Sequence, residues 1–400
     1  MSELLSRRNM VRLLTCAPAL VLLSSCVGKA APAPTPAPAA AIATPTAFPT
    51  SAPPVVPPTA TVAAPVATAT VAPTATEAAS SVSVPAATAT PGSTPAPVSA
   101  AALNAQFPNH PWDFALRPIL FQIDNAPDAR PQSGLSSAYV VYETLAEGNI
   151  TRFTGLFLQK ALADIGNLRS ARIVDTDLTQ QWDAILMHVG ASTPVQQLLN
   201  AAGITQMDLD LTDNRPAAYR TSDRVAPYNL YTSLERLRPL LAGRGVRLTA
   251  TSPRAFPVGP LPPGITSKPA ASLTIPFGSP SDAGYAWDGA AQGYRRSVDG
   301  SGLVDANTGK PIIVTNVVAQ FAREIVTNII EDSEGSHSLQ FVQTGTGKAV
   351  LLRNQQRIDL TWRRDQPKDL TTFAFPDGSP ATFAPGNVWI SFLPDSMQLA

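Results

Sequence analysis

The sequence predicts an α/β amino-terminal domain, a mixed sheet with helices packed on it, followed by a β-rich carboxy-terminal domain, both carried behind a disordered tether. Three observations predict this. Strand-like and helix-like runs alternate between residues 105 and 255, with a hairpin among them. Short apolar or alternating runs separated by turn residues fill 265–400. Residues 27–104 are almost entirely Ala, Pro, Thr, Val and Ser. The 400 residues carry no formal net charge and only 14% charged side chains, so nothing in the bulk charge attracts nucleic acid, and no nucleic-acid partner is expected.

Residues 1–26 have the form of an export signal. Arg7, Arg8 and Arg12 make a basic start, and Leu13 to Leu23 is an apolar run too short to span a bilayer. The tetrad Leu23, Ser24, Ser25, Cys26 resembles a lipobox, in which small residues admit the signal peptidase and the Cys26 thiol carries diacylglycerol. Two or three acyl chains, palmitate among them, hold a protein on a membrane far more firmly than one. The expected location is therefore the extracytoplasmic face of the cell membrane, lipid-anchored. Ser6 to Arg12 also resembles a twin-arginine motif, with Met10 and Val11 where Phe and Leu are usual, so both export routes stay open. Cys16 leaves with the signal and Cys26 is lipidated, so no disulfide and no cysteine-ligated metal are expected.

The 27–104 segment, charged only at Lys29 and Glu77, cannot bury enough apolar surface to offset its ordering entropy. Its reach lies between roughly 50 Å as a flexible coil and roughly 230 Å in full polyproline geometry.

In the first domain, 105–255, Pro118 to Ile123 reads as a short strand ending on Asp124 and Asn125. Ala126 to Ser136, with Pro127, Pro131 and Gly134, is a loop. Tyr139 to Glu143 and Ile150 to Gln159 read as an antiparallel pair turning at Glu147, Gly148 and Asn149. Asp175 to Asp183 has helical spacing with acids early. Ala184 to Val189 is a buried strand, and Thr193 with Pro194 opens a helix through Leu199.

In the second domain, 265–400, Tyr285, Trp287, Tyr294 and Arg296 alternate across a turn near Gly289. Further strand-like runs cover Ile312 to Phe321, Leu339 to Gln343, Ala349 to Leu352, Arg357 to Trp362 and Val388 to Phe392, a spacing that suggests a sandwich or barrel. Asp305 to Gly309 reads as a turn. Thr344 to Lys348 lacks the Walker spacing of a phosphate loop and reads as a hairpin turn. Trp287 and Trp362 could stack on glycan, although aromatics in a β domain usually belong to the core.

The motifs of this half-chain resemble a known family. Arg117 to Asn125, Ala129 to Leu135, Val141 to Glu143, Glu147 with Gly148 and Ile150 to Arg152, Arg169 to Arg172, His188 with Gly190 and Ser192, and Ala226 with Pro227 and Asn229 to Ser233 resemble the YerB-like lipoprotein family, a two-part domain of unknown function. Tyr294 to Arg296, Asn316 to Val318 and Gly386 to Ile390 extend the likeness to the second part. One departure stands out: the family pattern has Pro-His-Asn where this chain has Pro227, Tyr228, Asn229, and a tyrosine cannot replace a histidine base near neutral pH.

The candidate site comes from the polar residues gathered between Arg117 and Ser192 and in 219–233. Asn125, Arg130, Arg152, Arg169, Ser170, Arg172, Arg224 and Asn229 form the candidate ligand-binding set. Arginine presents a planar fork suited to carboxylate and phosphate, so convergence of these residues would make a pocket for an anionic envelope ligand. Peptidoglycan, teichoic acid and a wall-synthesis protein are the candidate partners beside the membrane itself. The competing reading is that the arginines pair with Asp124, Glu143, Asp175 and Asp223 to hold loops. A hydrolase or transferase acting on glycan or phosphodiester would use Asp124, Glu143 and His188. No serine elbow is present at Ser170 or Ser192. His110, His188 and His337 lie in different regions, so neither a metal site nor a cofactor is expected.

Overall fold

The computed structural model describes residues 98–399; the export signal, Cys26 and the tether as far as residue 97 lie outside the described residues. The strands of the first half are β1 (Ile119–Asp124), β2 (Val140–Leu145), β3 (Thr151–Phe157), β4 (Ile185–His188) and β5 (Thr205–Asp208). β1 and β3 are buried along their whole length, which requires cover on both faces of the sheet. β1 runs antiparallel to β3, with Asp124 opposite Arg152, and parallel to β4, with Ile119 opposite Ile185.

The second half supplies β6 (Asn316–Ala322), β7 (Gly345–Arg353), β8 (Gln356–Arg364), β9 (Thr372–Ala374) and β10 (Val388–Pro394). These join the same sheet in the order β9-β8-β7-β6-β10-β2-β3-β1-β4-β5, with Lys268–Pro269 added beside β8 to make eleven strands. The seam is β10, parallel to β6 on one side and to β2 on the other, where Val388 faces both Asn316 and Val140. Residues 105–255 and 265–400 thus contribute to one sheet.

Alternation along each strand divides the core in two. Leu120, Val140, Tyr142 and Ile390 pack on one face, with Leu178 and Trp182 of α1 (Val174–Trp182) and Val195 and Leu199 of α2 (Thr193–Ala201). Ile119, Phe121, Val141 and Trp389 pack on the other, with Leu234, Leu237 and Leu241 of α3 (Leu234–Gly243). The acids expected early in α1 are Asp175 and Asp177; Asp175 accepts the Arg172 N–H at 2.8 Å, and the helix stops at Asp183 in the left-handed region.

The sandwich or barrel expected from the short strands of the second half does not form by itself. Part of that half extends the shared sheet. The rest makes two separate two-stranded pairs and a five-stranded sheet with the expected hairpin Ala283–Asp288 with Gly293–Val298 at its centre, whose Ile275, Tyr285, Tyr294 and Val298 share one core cluster with Phe121 and Trp389. β10 is an internal strand of the shared sheet, its backbone hydrogen-bonded to β6 along one edge and to β2 of the first half along the other.

The expected turn at 344–348 is also corrected: Gly345 to Lys348 pair in register with Arg364 to Thr361 as the start of β7. Gly347 makes this possible, because a Cβ there would stand 2.5 Å from Trp362 Nε1 and 2.9 Å from the Phe321 carbonyl oxygen. Trp362 is buried, its Nε1 donating to that carbonyl at 2.7 Å, and so belongs to the core. Trp287 is half-buried, edge-on to Tyr294.

Candidate functional site

β1 ends on Asp124, and the end of that strand opens into a cavity of about 370 Å³. β3 brings Arg152 opposite Asp124, and the segment leading into α1 brings Arg169, Ser170 and Arg172. Tyr228 closes one side, and a hairpin of the second half, Glu324–Ile330 with His337–Phe341, presents Glu331, Asp332 and Glu334 on another.

Glu147 organises the arginines. It sits in the tight turn between β2 and β3, where Gly148 has φ of 63°. Its carboxylate accepts Arg172 Nε and Nη2, both at 2.7 Å, in a bidentate pair, and lies 3.4 Å from Arg152 Nη2. Arg152 Nη1 donates to the Ser170 carbonyl at 2.9 Å, and Arg172 Nη1 to that of Ala171 at 2.9 Å. Burial works against ionisation of Glu147, but the hydrogen bond from Arg172 and the charges of Arg152 and Arg172 outweigh it and hold the carboxyl below its ordinary value. Burial, reinforced by the charge of Arg172, pushes the Arg152 guanidinium down to about 10.

Arg169 is placed differently. Its Nε lies 3.0 Å from Asp124 Oδ2, its side chain is 29% exposed, and the guanidinium carbon stands 5.8 Å from the Tyr228 ring centroid. Its Nη atoms donate no hydrogen bond among the described residues, so the open end of the fork faces the cavity. Of the three guanidiniums, this is the one with donors to spare for an incoming acid group.

The remaining expected residues serve the surrounding loops. Asn125 donates to Thr151 Oγ1 at 2.7 Å and accepts from Arg130 Nε and Gln132 Nε2. Arg130 donates to the carbonyls of Asn125 and Pro280. Arg224 donates to those of Ala129 and Pro131, and Asn229 bridges Thr221, Arg224 and Arg220.

The three acid–base candidates are not brought together. Asp124 lines the cavity. Glu143 is sealed in the core, accepting from Thr151 Oγ1, Trp389 Nε1 and Arg296 Nη2. His188 is fully buried, Nδ1 beside the Gly190 carbonyl and Nε2 beside Gln206 Oε1. Among the described residues no group of three or more His, Cys, Asp or Glu side chains is placed to hold a metal ion.

Sequence reasoning passed over Glu147 as a turn residue and did not reach Glu331, Asp332 or Glu334. The available signal at Glu147 was a carboxylate in a turn between two strands that end near arginines. For the hairpin there was none, since it reaches the cavity from the other half of the chain.

Residues 110–247 match the N-terminal domain, and residues 273–390 the C-terminal domain, of a family described as a protein of unknown function, DUF3048. The chain belongs to the DUF3048 family. A Bacillus subtilis (strain 168) protein named as a lipoprotein, YerB, is 31% identical over 283 residues, covering 70% of this chain and 82% of the relative. The crystal structure of the YerB protein from Bacillus subtilis superposes with a TM-score of 0.61 at 27% identity, over 72% of this chain and 95% of that one. The likeness read from the motifs is thereby borne out. The cavity draws on both DUF3048 regions: Asp124, Glu147, Arg152, Arg169, Arg172 and Tyr228 lie in the first, and Glu331 in the second.

Proposed function

We propose that this DUF3048 protein is an envelope lipoprotein, held on the extracytoplasmic face of the membrane by lipid on Cys26, whose cavity binds an anionic group of an envelope ligand or of a wall-synthesis partner. The lipobox, the proline-rich segment behind it and the naming of the YerB relative as a lipoprotein support the anchoring. The binding reading rests on one observation: Arg169 turns unused Nη donors into a cavity whose other two arginines are already engaged with Glu147. A purely structural role would be met by the contact of Nε with Asp124; the partly exposed Nη end, which meets no protein oxygen among the described residues, is left for a ligand in the cavity.

The test is thermal unfolding of the full-length protein in detergent with muropeptides, teichoic-acid fragments and polyprenyl pyrophosphates, beside an Arg169→Gln variant. A ligand that binds only the folded state at a hundred times its Kd stabilises by about 2.7 kcal/mol and raises Tm accordingly. The expected result is a shift with one ligand class that disappears in Arg169→Gln, each shift being taken from that protein's own ligand-free Tm, because loss of the Asp124 partner lowers the variant's starting value. An equal shift in the variant would remove Arg169 from the site, and no shift with any class would remove the ligand reading.

A further inference from the structure

The cavity is not built for an anion alone. Its three guanidiniums meet five carboxylates, those of Asp124, Glu147, Glu331, Asp332 and Glu334. Glu147 is consumed by Arg152 and Arg172, and Asp124 by Arg169, which leaves the three acids of the hairpin. Their position is fixed by the turn: Glu331 N donates to the Ser336 carbonyl at 2.9 Å, and Asp332 Oδ1 accepts the N–H groups of Glu334 and Ser336 at 3.0 Å.

Glu331 carries the decisive feature. Its side chain has no solvent exposure, and neither carboxylate oxygen receives a hydrogen bond. The cation beside it, Arg172 Nη1, stands 3.7 Å away and already donates to the Ala171 carbonyl. A buried carboxylate without donors is costly, and native structures leave such a group unsatisfied chiefly where a ligand, ion or water completes it. An ammonium suits the place: it is compact and brings three donors, and the carboxylates of Asp332 and Glu334 add to the field that draws it in.

We propose that the cavity binds a zwitterion, its acid group on Arg169 and its ammonium on Glu331. The inference rests on the anion-binding reading of Arg169 and adds the opposite pole. Two sources share this chemistry: an amino acid or short peptide with a free amine, and a phosphoethanolamine headgroup.

Calorimetric titration of the full-length protein with matched probes separates the poles. Alanyl-alanine and phosphoethanolamine carry both charges, N-acetyl-alanyl-alanine only the negative one, and alanyl-alanine amide only the positive one. The expected result is that at least one zwitterion binds about tenfold more tightly than either singly charged dipeptide, since a charge-assisted hydrogen bond contributes about that factor. Which zwitterion leads distinguishes peptide from headgroup. Glu331→Gln should bring alanyl-alanine down to the level of its N-acetyl form. Glu334→Gln, on the exposed turn and harmless to folding, should weaken the zwitterion but not the N-acetyl probe. N-acetyl-alanyl-alanine binding as tightly as alanyl-alanine would overturn the ammonium site while leaving the anion reading intact. Alanyl-alanine and N-acetyl-alanyl-alanine binding that ignores Arg169→Gln would overturn the anion reading and the zwitterion with it, as would silence from every probe.

Discussion

Arg296 Nη2 lies 2.8 Å from each carboxylate oxygen of Glu143, and neither side chain has any solvent exposure. Trp389 Nε1 and Thr151 Oγ1 donate to the same carboxylate, and the guanidinium stands 5.3 Å from the Trp389 ring centroid. The pair therefore joins β2 of the first family region to the smaller sheet and β10 of the second. Removing one partner leaves a charge buried without compensation, so Glu143→Ala should destabilise by about 3–5 kcal/mol. The double change Glu143→Met with Arg296→Met should recover much of that loss, because a packed apolar pair has no desolvation to repay. Urea unfolding of the three variants measures this; a Glu143→Ala protein as stable as the wild type would contradict it.

Glu147 predicts a pH dependence. Its folded-state value lies below the ordinary 4.5, so the stability it contributes is present above that value and is lost as pH falls through the lower folded one. Glu147→Gln leaves Arg152 and Arg172 without their carboxylate and should cost about 3 kcal/mol at pH 7. The gap between variant and wild type should close as pH drops below 4.5. Thermal unfolding from pH 7 to pH 3 follows it, and a gap that stays constant would show that Glu147 acts through its shape and not its charge.

How far the sequence reveals this molecule depends on whether a feature is local. The strands at 119–124 and 151–157 and the hairpin at 283–298 are legible because apolar periodicity and turn residues report on neighbours in the chain. Arg169, Arg172 and Asp124 were legible as a set because charges are sparse in this chain. Glu143 looked like a catalytic acid for the same reason, and only the fold reveals Arg296, 153 residues away, as its partner. The sharing of one sheet between the halves is likewise a property of β10 and β2 together, which neither stretch states alone. Glu331 is the extreme case: its significance is an unmet hydrogen bond, and that exists only in three dimensions.

The correction at 344–348 gives a test of packing. Gly347→Ala places a methyl where Trp362 Nε1 and the Phe321 carbonyl oxygen now stand, breaking the hydrogen bond between them or displacing β7. Overpacking of this kind costs about 1–3 kcal/mol. Gly345→Ala is strained for a different reason, its φ of 108°, with open space around it. Tryptophan fluorescence during unfolding should separate the two, since only Gly347→Ala disturbs the surroundings of Trp362 in the folded state. An unchanged folded-state spectrum in Gly347→Ala would show that the indole is not held as described.

Tyr228 supplies the last prediction. It lines the cavity beside Arg169, whose guanidinium carbon stands 5.8 Å from its ring centroid. A phenol stays neutral through the physiological range, whereas an imidazole gains a positive charge near pH 6.5. Tyr228→His therefore adds a cation beside Arg169 only at the acidic end. Binding of N-acetyl-alanyl-alanine, whose own charge is constant over this range, should strengthen about threefold to tenfold in the variant as pH falls from 8 to 5.5, one extra charge-assisted contact contributing about that much. The wild type, with no imidazole in the cavity, should show no such rise across the same interval. Parallel pH profiles in the two proteins would mean that residue 228 does not meet the bound acid, and would move the anion away from the Tyr228 side of Arg169.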